Sequence, residues 1–419
     1  MLSLYRWRQL GFVALCVQTS FACAQNFLPP SERVRDAIEA YAEVRAANAS
    51  IAQAEQQARE LAAGPNEFQL SLSPTFRRTT DPEIANSNDT RFTEWEAQLS
   101  RTIRLPGKAA LDRETGAHIV TAAKLRFGDA EHQAARNLLA AWMGWLRAEA
   151  VSAAAQTQYD TLARERDTIA RRLALGDAAA RELDQIDAMQ ATVRAQLFQA
   201  KSDVAAQRLI LAMNFPQITV PERAPELPDP APLDDTPENW IDRIISGSHE
   251  IGVLTATAAE HDTMARRAAA NRLPDPTVGI RTFNEFGGAE KGWGVVVSVP
   301  IGMTRRDAEA RSQFAAANIA RSETEAMRRD ITSEATLTLA RAQLSLQMWQ
   351  AAHAARLANA TSLSRQHRAY ELGEISLAER LQVERLDAEA ALTELRARVD
   401  AHEALLRVKV DGHAIWDWD

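Results

Sequence analysis

Cysteine is almost absent from this chain of 419 residues: Cys16 and Cys23 are the only two, and both lie near the N-terminus. Two cysteines placed this way give none of the Cys/His spacings typical of a zinc site. If the N-terminal segment is removed, no cysteine remains for a disulfide or for thiol chemistry. The sequence therefore predicts a protein without cofactors that is stabilised by packing alone.

Other common signatures are missing as well. The net charge is −8 and no basic patch is present, which argues against a nucleic-acid partner. No P-loop, GxSxG, HExxH or Rossmann glycine pattern occurs, so we predict that the protein is not an enzyme. The eight histidines are scattered, and no two are three or four residues apart. That spacing would place two ligands on one helix face, so no metal site is predicted.

Long apolar runs are also scarce, and the one near the N-terminus has the order of a signal peptide. Two arginines, a short apolar run and an Ala-Cys-Ala cleavage site follow one another at Arg6, Arg8, 10–17 and 22–24. We predict a signal peptide over residues 1–24 and an exported mature chain. Two alternatives stay open. Cys23 is a candidate lipid acceptor, and the segment is alternatively a buried N-terminal helix.

The remainder of the chain is an internal repeat. The first repeat covers 25–214 and the second 238–410, followed by a C-terminal tail over 411–419. The segment between them, 215–237, is rich in proline and is predicted to be a linker. Each repeat has a helix, two strands, a very long helical run, a Leu-Gly break and a returning helix. The landmarks recur at similar offsets, 194 residues from Pro106 to Pro300 and 197 from Gly176 to Gly373.

Each long helical run has roughly 68 residues without proline, which corresponds to about 100 Å of α-helix. Helices of this length are typical of coiled coils and helical arrays rather than of compact domains. Each run ends in a Leu-Gly-acid sequence, and glycine favours the left-handed conformation that terminates helices. The tips are therefore predicted at about 173–182 and 370–379.

Four segments alternate apolar and polar residues with period two, which predicts β-strands at about 68–78, 91–104, 277–286 and 292–301. Their length is that of tilted strands crossing a bilayer. The alternative is two half-buried hairpins on a soluble core. Four strands are too few to close a barrel, and open edges are not tolerated in hydrocarbon. A membrane barrel would therefore have to be shared between chains.

Taken together, this pattern resembles the TolC-like outer-membrane efflux protein family over nearly the whole mature chain. Within that family, "LSRTIRLPGKAALDRETGA" at 99–117 and "VSVPIGMTRRDAEARSQFAAA" at 297–317 are similar to the heavy-metal, CzcC-like branch. The resemblance implies a mainly α fold with a small β part. It also implies a homotrimer with a long α-helical barrel and a shared 12-stranded β-barrel.

The resemblance further implies a location and partners. The location is the outer membrane of a Gram-negative bacterium, in contact with outer-membrane lipid, with a periplasmic helical extension. The partners are a periplasmic adaptor (membrane fusion) protein and an inner-membrane RND-type pump. The implied function is a passive duct of a tripartite efflux pump, with divalent heavy-metal cations as the expected cargo. The alternatives are the same duct for drugs, small organic molecules or type I secretion, and a soluble periplasmic coiled-coil adaptor or scaffold.

By position, the resemblance assigns adaptor docking to the two tips, at Arg172, Leu175, Gly176, Asp177, Arg368, Leu372, Gly373 and Glu374. It assigns a candidate aperture or gate to Glu182 and Glu379, each six residues after the tip glycine. Rings of carboxylates at a constriction attract cations. The alternative for each charged residue is a solvated helix face. His367 lies near the second tip, where copies of it could meet on a threefold axis; a metal role there is the lesser alternative to no metal site.

Overall fold

The structure is a computed structural model that describes residues 27–79 and 90–416. The predicted signal peptide, with Cys16 and the candidate lipid acceptor Cys23, lies outside the described residues. So do the last three residues of the predicted tail. Across the described ranges, no helix has an apolar stretch long enough to cross a bilayer.

The order of elements repeats, as the sequence predicted. The first repeat contains α1 (Ser31–Glu39), α2 (Ala42–Ala63), β1 (Gln69–Thr79), β2 (Thr90–Thr102), α3 (Lys108–Ala174) and α4 (Ala180–Asn214). The second contains α5 (Pro237–Gly247), α6 (His249–Ala270), β3 (Thr277–Glu285), β4 (Glu290–Ser298), α7 (Thr304–Glu371) and α8 (Leu377–Asp411). Matching helices have nearly equal lengths: 22 and 22 residues for α2 and α6, 67 and 68 for α3 and α7, and 35 and 35 for α4 and α8.

One feature of this order differs from the prediction. The sequence predicts a single helix before each strand pair, but the structure has two. In the second repeat, α5 ends at Gly247 and the Ser248 side chain caps α6 by accepting a hydrogen bond from the Ile251 amide at 3.2 Å. In the first repeat, neither glycine nor proline marks the break between Glu39 and Ala42. A break without these residues depends on tertiary packing, which sequence periodicity does not report.

The compact units of the fold do not follow the two repeats. One unit contains the described residues up to Tyr41, His132–Ile244 and the residues from Ala335 onward. The other lies within Ala42–Glu131 and Ile245–Glu334. Each unit therefore takes residues from both repeats, and the long helices α3 and α7 contribute to both.

The first unit is built from packed helices. Around Trp240 of α5, the buried residues Leu339 and Leu405 of α7 and α8 form one apolar cluster. A second cluster lies close to the tips and joins α3, α4 and α8 through Leu162, Ile169, Ile186, Val193, Leu377 and Leu381, with Tyr370 of α7 packed against it. Burying an aliphatic side chain of this size contributes about 1.5–3 kcal/mol. These clusters stabilise a unit that has no disulfide among its described residues.

The second unit contains a four-stranded antiparallel sheet in the order β1-β2-β3-β4. The central pairing, β2 with β3, joins the two repeats, with Leu99 opposite Ile280 and Trp95 opposite Asn284. Helices α2 and α3 approach each other closely at Gly116 of α3. A Cβ at this position would lie only 2.9 Å from the Cα of Ala58 in α2. Pairing between the repeats explains why this second unit draws on both of them.

One face of the sheet is apolar and exposed in the single chain. The register aligns its members across the strands, since Leu72 faces Ala97, Leu99 faces Ile280, and Ile280 faces Val295. Leu72 is 68% exposed, Ile280 62% and Val295 64%. The same face carries Leu70, Phe76, Trp95, Leu99, Val278, Trp293 and Val297. A contiguous apolar surface on a folded chain indicates contact with a partner or a membrane.

Candidate functional site

The two tips have the same backbone structure. Leu175 and Leu372 directly follow the long helices, and the next residues, both glycines, adopt left-handed conformations, with φ of +77° at Gly176 and +78° at Gly373. The Asp177 amide donates to the Arg172 carbonyl at 2.8 Å and the Gly176 amide to the Leu173 carbonyl at 3.0 Å. This pair of hydrogen bonds defines a Schellman turn.

The second tip repeats both bonds, with the Glu374 amide on the Ala369 carbonyl at 2.9 Å and the Gly373 amide on the Tyr370 carbonyl at 3.0 Å. A Cβ at either glycine would meet nothing within 4 Å. Glycine is therefore required here by backbone conformation and not by crowding.

Arg172 holds the first turn closed and connects it to the second hairpin. Its Nε donates to Asp177 Oδ2 at 3.1 Å and its Nη2 to the Asp177 carbonyl at 3.0 Å. Its Nη1 donates to the Tyr370 hydroxyl of α7 at 2.9 Å. The hydrogen bonds to Asp177 and then to Tyr370 raise the pKa of Arg172 above its usual value. The sequence singled out Arg172 and Asp177, but it did not predict that they bind each other or Tyr370.

Arg368 is not the structural counterpart of Arg172. It lies five residues before its glycine rather than four, and its Nη1 donates to Glu371 Oε2 at 3.1 Å on the surface of α7. The counterpart of Arg172 by hydrogen bonding is Ala369. What the two tips do share is an exposed leucine, since Leu175 is 83% exposed and Leu372 60%. Each tip therefore presents one apolar side chain to solvent beside a rigid turn.

Glu182 and Glu379 occupy the same position, the third residue of a returning helix. Glu379 belongs to a complete capping box, because its carboxylate accepts hydrogen bonds from the Ser376 amide at 2.7 Å and the Ser376 hydroxyl at 2.8 Å. The bond from the Ser376 amide, followed by that from its hydroxyl, lowers the pKa of Glu379. The equivalent cap of α4 is Ala179, which has no side-chain oxygen. A structural role therefore accounts for Glu379, and an aperture role for either residue stays a prediction.

A cluster of charged groups lies behind the tips, and the sequence analysis had noted only one of its members, His367. It joins Glu165 of α3, His367 of α7, and Arg380 and Glu384 of α8. Arg380 Nη2 donates to Glu165 Oε2 at 2.8 Å, and His367 Nε2 lies 3.1 Å from Glu384 Oε1. Among the described residues, Glu165, His367 and Glu384 form a group able to hold a metal ion, with their ligand atoms within 4.8 Å of one another. The sequence predicted no metal site, because these three residues come together only through tertiary packing.

The LPGK sequence that resembles the heavy-metal branch has a structural role. Gly107 turns the chain with φ +89°, and Lys108 begins α3. The Lys108 ammonium is buried, and it donates to the Leu273 carbonyl at 2.7 Å and to Asp275 Oδ1 at 2.8 Å. This contact fastens the start of α3 to the segment that leads into β3. The motif is therefore explained by the fold.

Comparison with known proteins identifies the architecture. No protein-family model matches the chain. No curated protein matches it either. Solved structures do match, including CusC, at 15% identity with a TM-score of 0.75 over 91% of this chain and 91% of that chain.

Two further structures agree with that match. The CmeC outer-membrane channel of Campylobacter jejuni matches at 13% identity, with a TM-score of 0.74 over 97% of this chain and 94% of that chain. The outer-membrane protein VceC of Vibrio cholerae matches at 18% identity, with a TM-score of 0.68 over 90% and 95%. At these identities the likeness establishes the fold. The chain is mostly helical with one small sheet, and it has the fold of the TolC-like outer-membrane channels.

Proposed function

We propose that this protein is the outer-membrane duct of a tripartite efflux pump and conducts its cargo passively. The observation that carries the proposal is the exposed apolar face of the β1–β4 sheet in a chain with a channel fold. Water disfavours such a face by about 25 cal/mol for each Å² of apolar surface, whereas lipid covers it without that cost. Strands of 9 to 13 residues match the length of tilted membrane strands.

The sheet also favours a homotrimer. Within the described residues, β1 and β4 form the two edges of the sheet. Unpaired edge groups in hydrocarbon cost several kcal/mol each, so the edges would have to pair with other chains. Three copies of four strands give twelve, which closes a barrel of the size that the family resemblance implies. The matching helices of three chains would then enclose a periplasmic passage.

The tips suit docking to a periplasmic adaptor protein, which would in turn connect the duct to an inner-membrane RND-type pump. Leu175 and Leu372 offer two similar apolar contacts on rigid turns, and the repeat places them on both hairpins of the chain. Glu182 and Glu379 are candidate aperture residues at the same ends of the returning helices. The duct itself would hydrolyse nothing, and the pump would supply the energy.

The proposed cargo is divalent heavy-metal cations. Its support is the resemblance of 99–117 and 297–317 to the heavy-metal branch. Gly107 and Lys108 have structural roles in the fold. The resemblance therefore supports relatedness to the heavy-metal branch, and it does not identify a residue that contacts the cargo. A test of the cargo has to distinguish metal cations from drugs, small organic molecules and secreted polypeptide, all of which the same duct could carry.

The experiment begins with a deletion strain grown across zinc, cobalt, cadmium, nickel, copper and silver, beside a panel of dyes and antibiotics. We expect sensitivity and accumulation confined to some of the metals, restored by the intact gene. The double variant Leu175→Glu plus Leu372→Glu should reach the outer membrane as a trimer and still fail to restore resistance. Arg385→Ala, which removes only exposed contacts with Gln382 and Glu389 on the surface of α8, is the control and should restore it.

Two results would overturn parts of the proposal. Sensitivity to organic compounds with normal metal content would keep the duct and replace the cargo. Release of the intact protein from membranes by salt and carbonate washing would contradict the duct itself, because an integral barrel resists such washes. That second result would favour a soluble periplasmic adaptor or scaffold.

A further inference from the structure

Glu165, His367 and Glu384 converge within one chain, behind the tips. Glu165 lies eleven residues before Gly176, His367 six before Gly373, and Glu384 eleven after Gly373. Their side chains are largely withdrawn from solvent, with 15% of Glu165, 40% of His367 and 12% of Glu384 exposed. Three helices, α3, α7 and α8, thus contribute one potential ligand each to the same small volume.

The charges in this volume are not balanced. Arg380 is the guanidinium between the two carboxylates, with Nη2 on Glu165 Oε2 at 2.8 Å and Nε 3.4 Å from Glu384 Oε1. Glu384 Oε1 is buried and accepts no hydrogen bond of good geometry. A cation beside Glu384 Oε1 would give this buried acceptor a partner and offset the second carboxylate of the cluster.

The ligand chemistry and the spacing fit a metal ion. One imidazole nitrogen and two carboxylates are a common ligand set for zinc and similar divalent ions. Two ligand atoms on one tetrahedral zinc lie about 3.4 Å apart, given metal–ligand distances of about 2.1 Å. The 3.1 Å between His367 Nε2 and Glu384 Oε1 is already close to that spacing.

The third ligand is also within reach. Glu165 needs to approach by at most about 1.4 Å to reach zinc-like spacing, because the three ligand atoms lie within 4.8 Å of one another. A carboxylate has two oxygens, so Glu165 can keep Arg380 on one and offer the other. A cavity of about 210 Å³ borders Glu165, and its other lining residues are Arg164, Thr168, Ile169, Arg172, Tyr370 and Arg380. It leaves room for water beside Glu165, the proposed ligand that has to move.

We propose that Glu165, His367 and Glu384 of each chain bind one divalent cation of zinc-like chemistry. The ion would link α3 to α7 and α8 and so fasten the two hairpins to each other behind the tips. The site lies within one chain and requires neither a pump nor a particular cargo. It can therefore be tested on the isolated protein, and its failure would leave the proposed duct function untouched.

The experiment uses the untagged full-length protein in detergent, stripped of metal with a chelator and then titrated with Zn²⁺. We expect one Zn²⁺ per chain by elemental analysis after dialysis, and a higher thermal midpoint when zinc is bound. Glu384→Gln and His367→Gln keep the side-chain size and should each weaken binding by about 10-fold or more. Mg²⁺ should not compete, because it prefers octahedral oxygen sites.

The matched control is His353→Gln. His353 Nδ1 lies 3.6 Å from Glu394 Oε1, so it also forms a His–Glu pair between α7 and α8. Glu394, however, is already bonded by Arg356, Arg398 and Trp349. Within the described part of the chain, no second carboxylate completes a ligand set there. We expect zinc binding to be unchanged in this variant.

Three outcomes would overturn the proposal: no bound zinc, equal binding by all variants, or loss of binding only in the control. A fourth outcome would also overturn it. In this outcome the unsubstituted protein binds no zinc, and Glu384→Gln raises the thermal midpoint in the absence of zinc. That result would mean that a proton shared with Glu165 occupies the position assigned to the metal.

Discussion

Gly176 and Gly373 hold a backbone conformation that a side chain resists. At φ of +77° and +78°, an alanine would cost roughly 1–2 kcal/mol, although the space around each Cβ is open. We therefore expect Gly176→Ala and Gly373→Ala to weaken their turns without creating a clash. The measurement is hydrogen exchange of the Asp177 and Glu374 amides, which should become faster in the respective variants.

The control for this prediction is Gly144→Ala in the middle of α3. Its backbone is helical. The Cβ of an alanine there would lie 3.0 Å from the side-chain oxygen of Gln207, which is at the end of a flexible side chain and can move away. Alanine is favoured over glycine in a helix by about 1 kcal/mol, so this change should be neutral or stabilising. Equal effects of all three substitutions would contradict the requirement for a left-handed residue at the tips.

Asp411 is a second residue on which stability depends. It is buried at the end of α8, where Arg136 Nε donates to it at 2.8 Å and Arg407 Nε at 2.9 Å. Burial raises the pKa of Asp411, but the hydrogen bond from His132 and the charges of Arg136 and Arg407 outweigh it and hold the pKa at about 2. We expect Asp411→Asn to destabilise the protein by about 2–3 kcal/mol, because it removes the carboxylate charge that Arg136 and Arg407 contact.

The pH dependence of this effect has a defined sign. A carboxyl whose folded pKa is lowered stabilises fully above its unfolded pKa of about 3.9, and this stabilisation is lost as the pH falls toward about 2. The difference in thermal midpoint between the unsubstituted protein and Asp411→Asn should shrink over that range. Asp400→Asn is the control, since its pair with Arg147 is largely exposed and contributes about 0–1 kcal/mol. A constant difference between pH 7 and pH 2 would contradict the electrostatic explanation.

The sequence predicted the roles of some of these residues but not of others. The tip glycines were predicted because Leu-Gly-acid interrupts a helical pattern locally, and local conformation is what a sequence reports most directly. Asp411 was not, because its partners Arg136 and His132 are 275 and 279 residues away (411 − 136, 411 − 132). The cluster of Glu165, His367 and Glu384 was missed for the same reason. Its members are remote in sequence and share no spacing pattern.

At the scale of elements, the two returning helices differ at the N-cap residue, which has a side-chain oxygen in α8 but not in α4. Ser376 supplies the hydroxyl of the α8 capping box, while Ala179 caps α4 with a similar extended backbone but no side-chain acceptor. We expect Ser376→Ala to cost about 1 kcal/mol and Ala179→Ser to gain a comparable amount, because Glu182 already occupies the third position. Hydrogen exchange of the Glu379 and Glu182 amides should change in opposite directions. Unchanged exchange at Glu182 in Ala179→Ser would show that α4 does not form the box.

The strands offer a paired test of which sheet face contacts lipid. Leu72 lies on the exposed apolar face opposite Ala97, and its neighbour Ser73 lies on the other face opposite Glu96. We expect Leu72→Arg to lower the amount of trimer in the outer membrane, since a lipid-facing arginine costs about 2–4 kcal/mol at the bilayer centre. Ser73→Arg should be tolerated, because Glu96 lies across from it. Trimer abundance in purified outer membranes is the measurement, and equal loss in both variants would contradict the assignment of the faces.

The elements themselves were well predicted where their periodicity is strong. The strands expected at about 68–78 and 277–286 correspond to Gln69–Thr79 and Thr277–Glu285. The strands expected at about 91–104 and 292–301 end earlier, at Thr102 and Ser298. In the first case the apolar alternation runs on through Ile103 and Leu105, where the chain already leaves the sheet. Alternation reports which face a residue takes, but pairing with β3, the neighbour of both β2 and β4, decides where the two ladders stop.

At the scale of the whole molecule, the proposed trimer would bring three copies of each tip carboxylate together. Glu379→Gln is informative here, because glutamine also completes a capping box and the substitution removes only the charge. If Glu182 and Glu379 line the aperture, we expect the double variant Glu182→Gln plus Glu379→Gln to have lower cation selectivity. The reversal potential of purified trimers in a planar bilayer under a salt gradient measures this, and it should move toward zero.

Glu371→Gln removes an exposed carboxylate that is paired with Arg368 just before the turn, and it should leave the potential unchanged. If the double variant behaves like this control, the two glutamates are solvated residues of their helices and the constriction lies elsewhere.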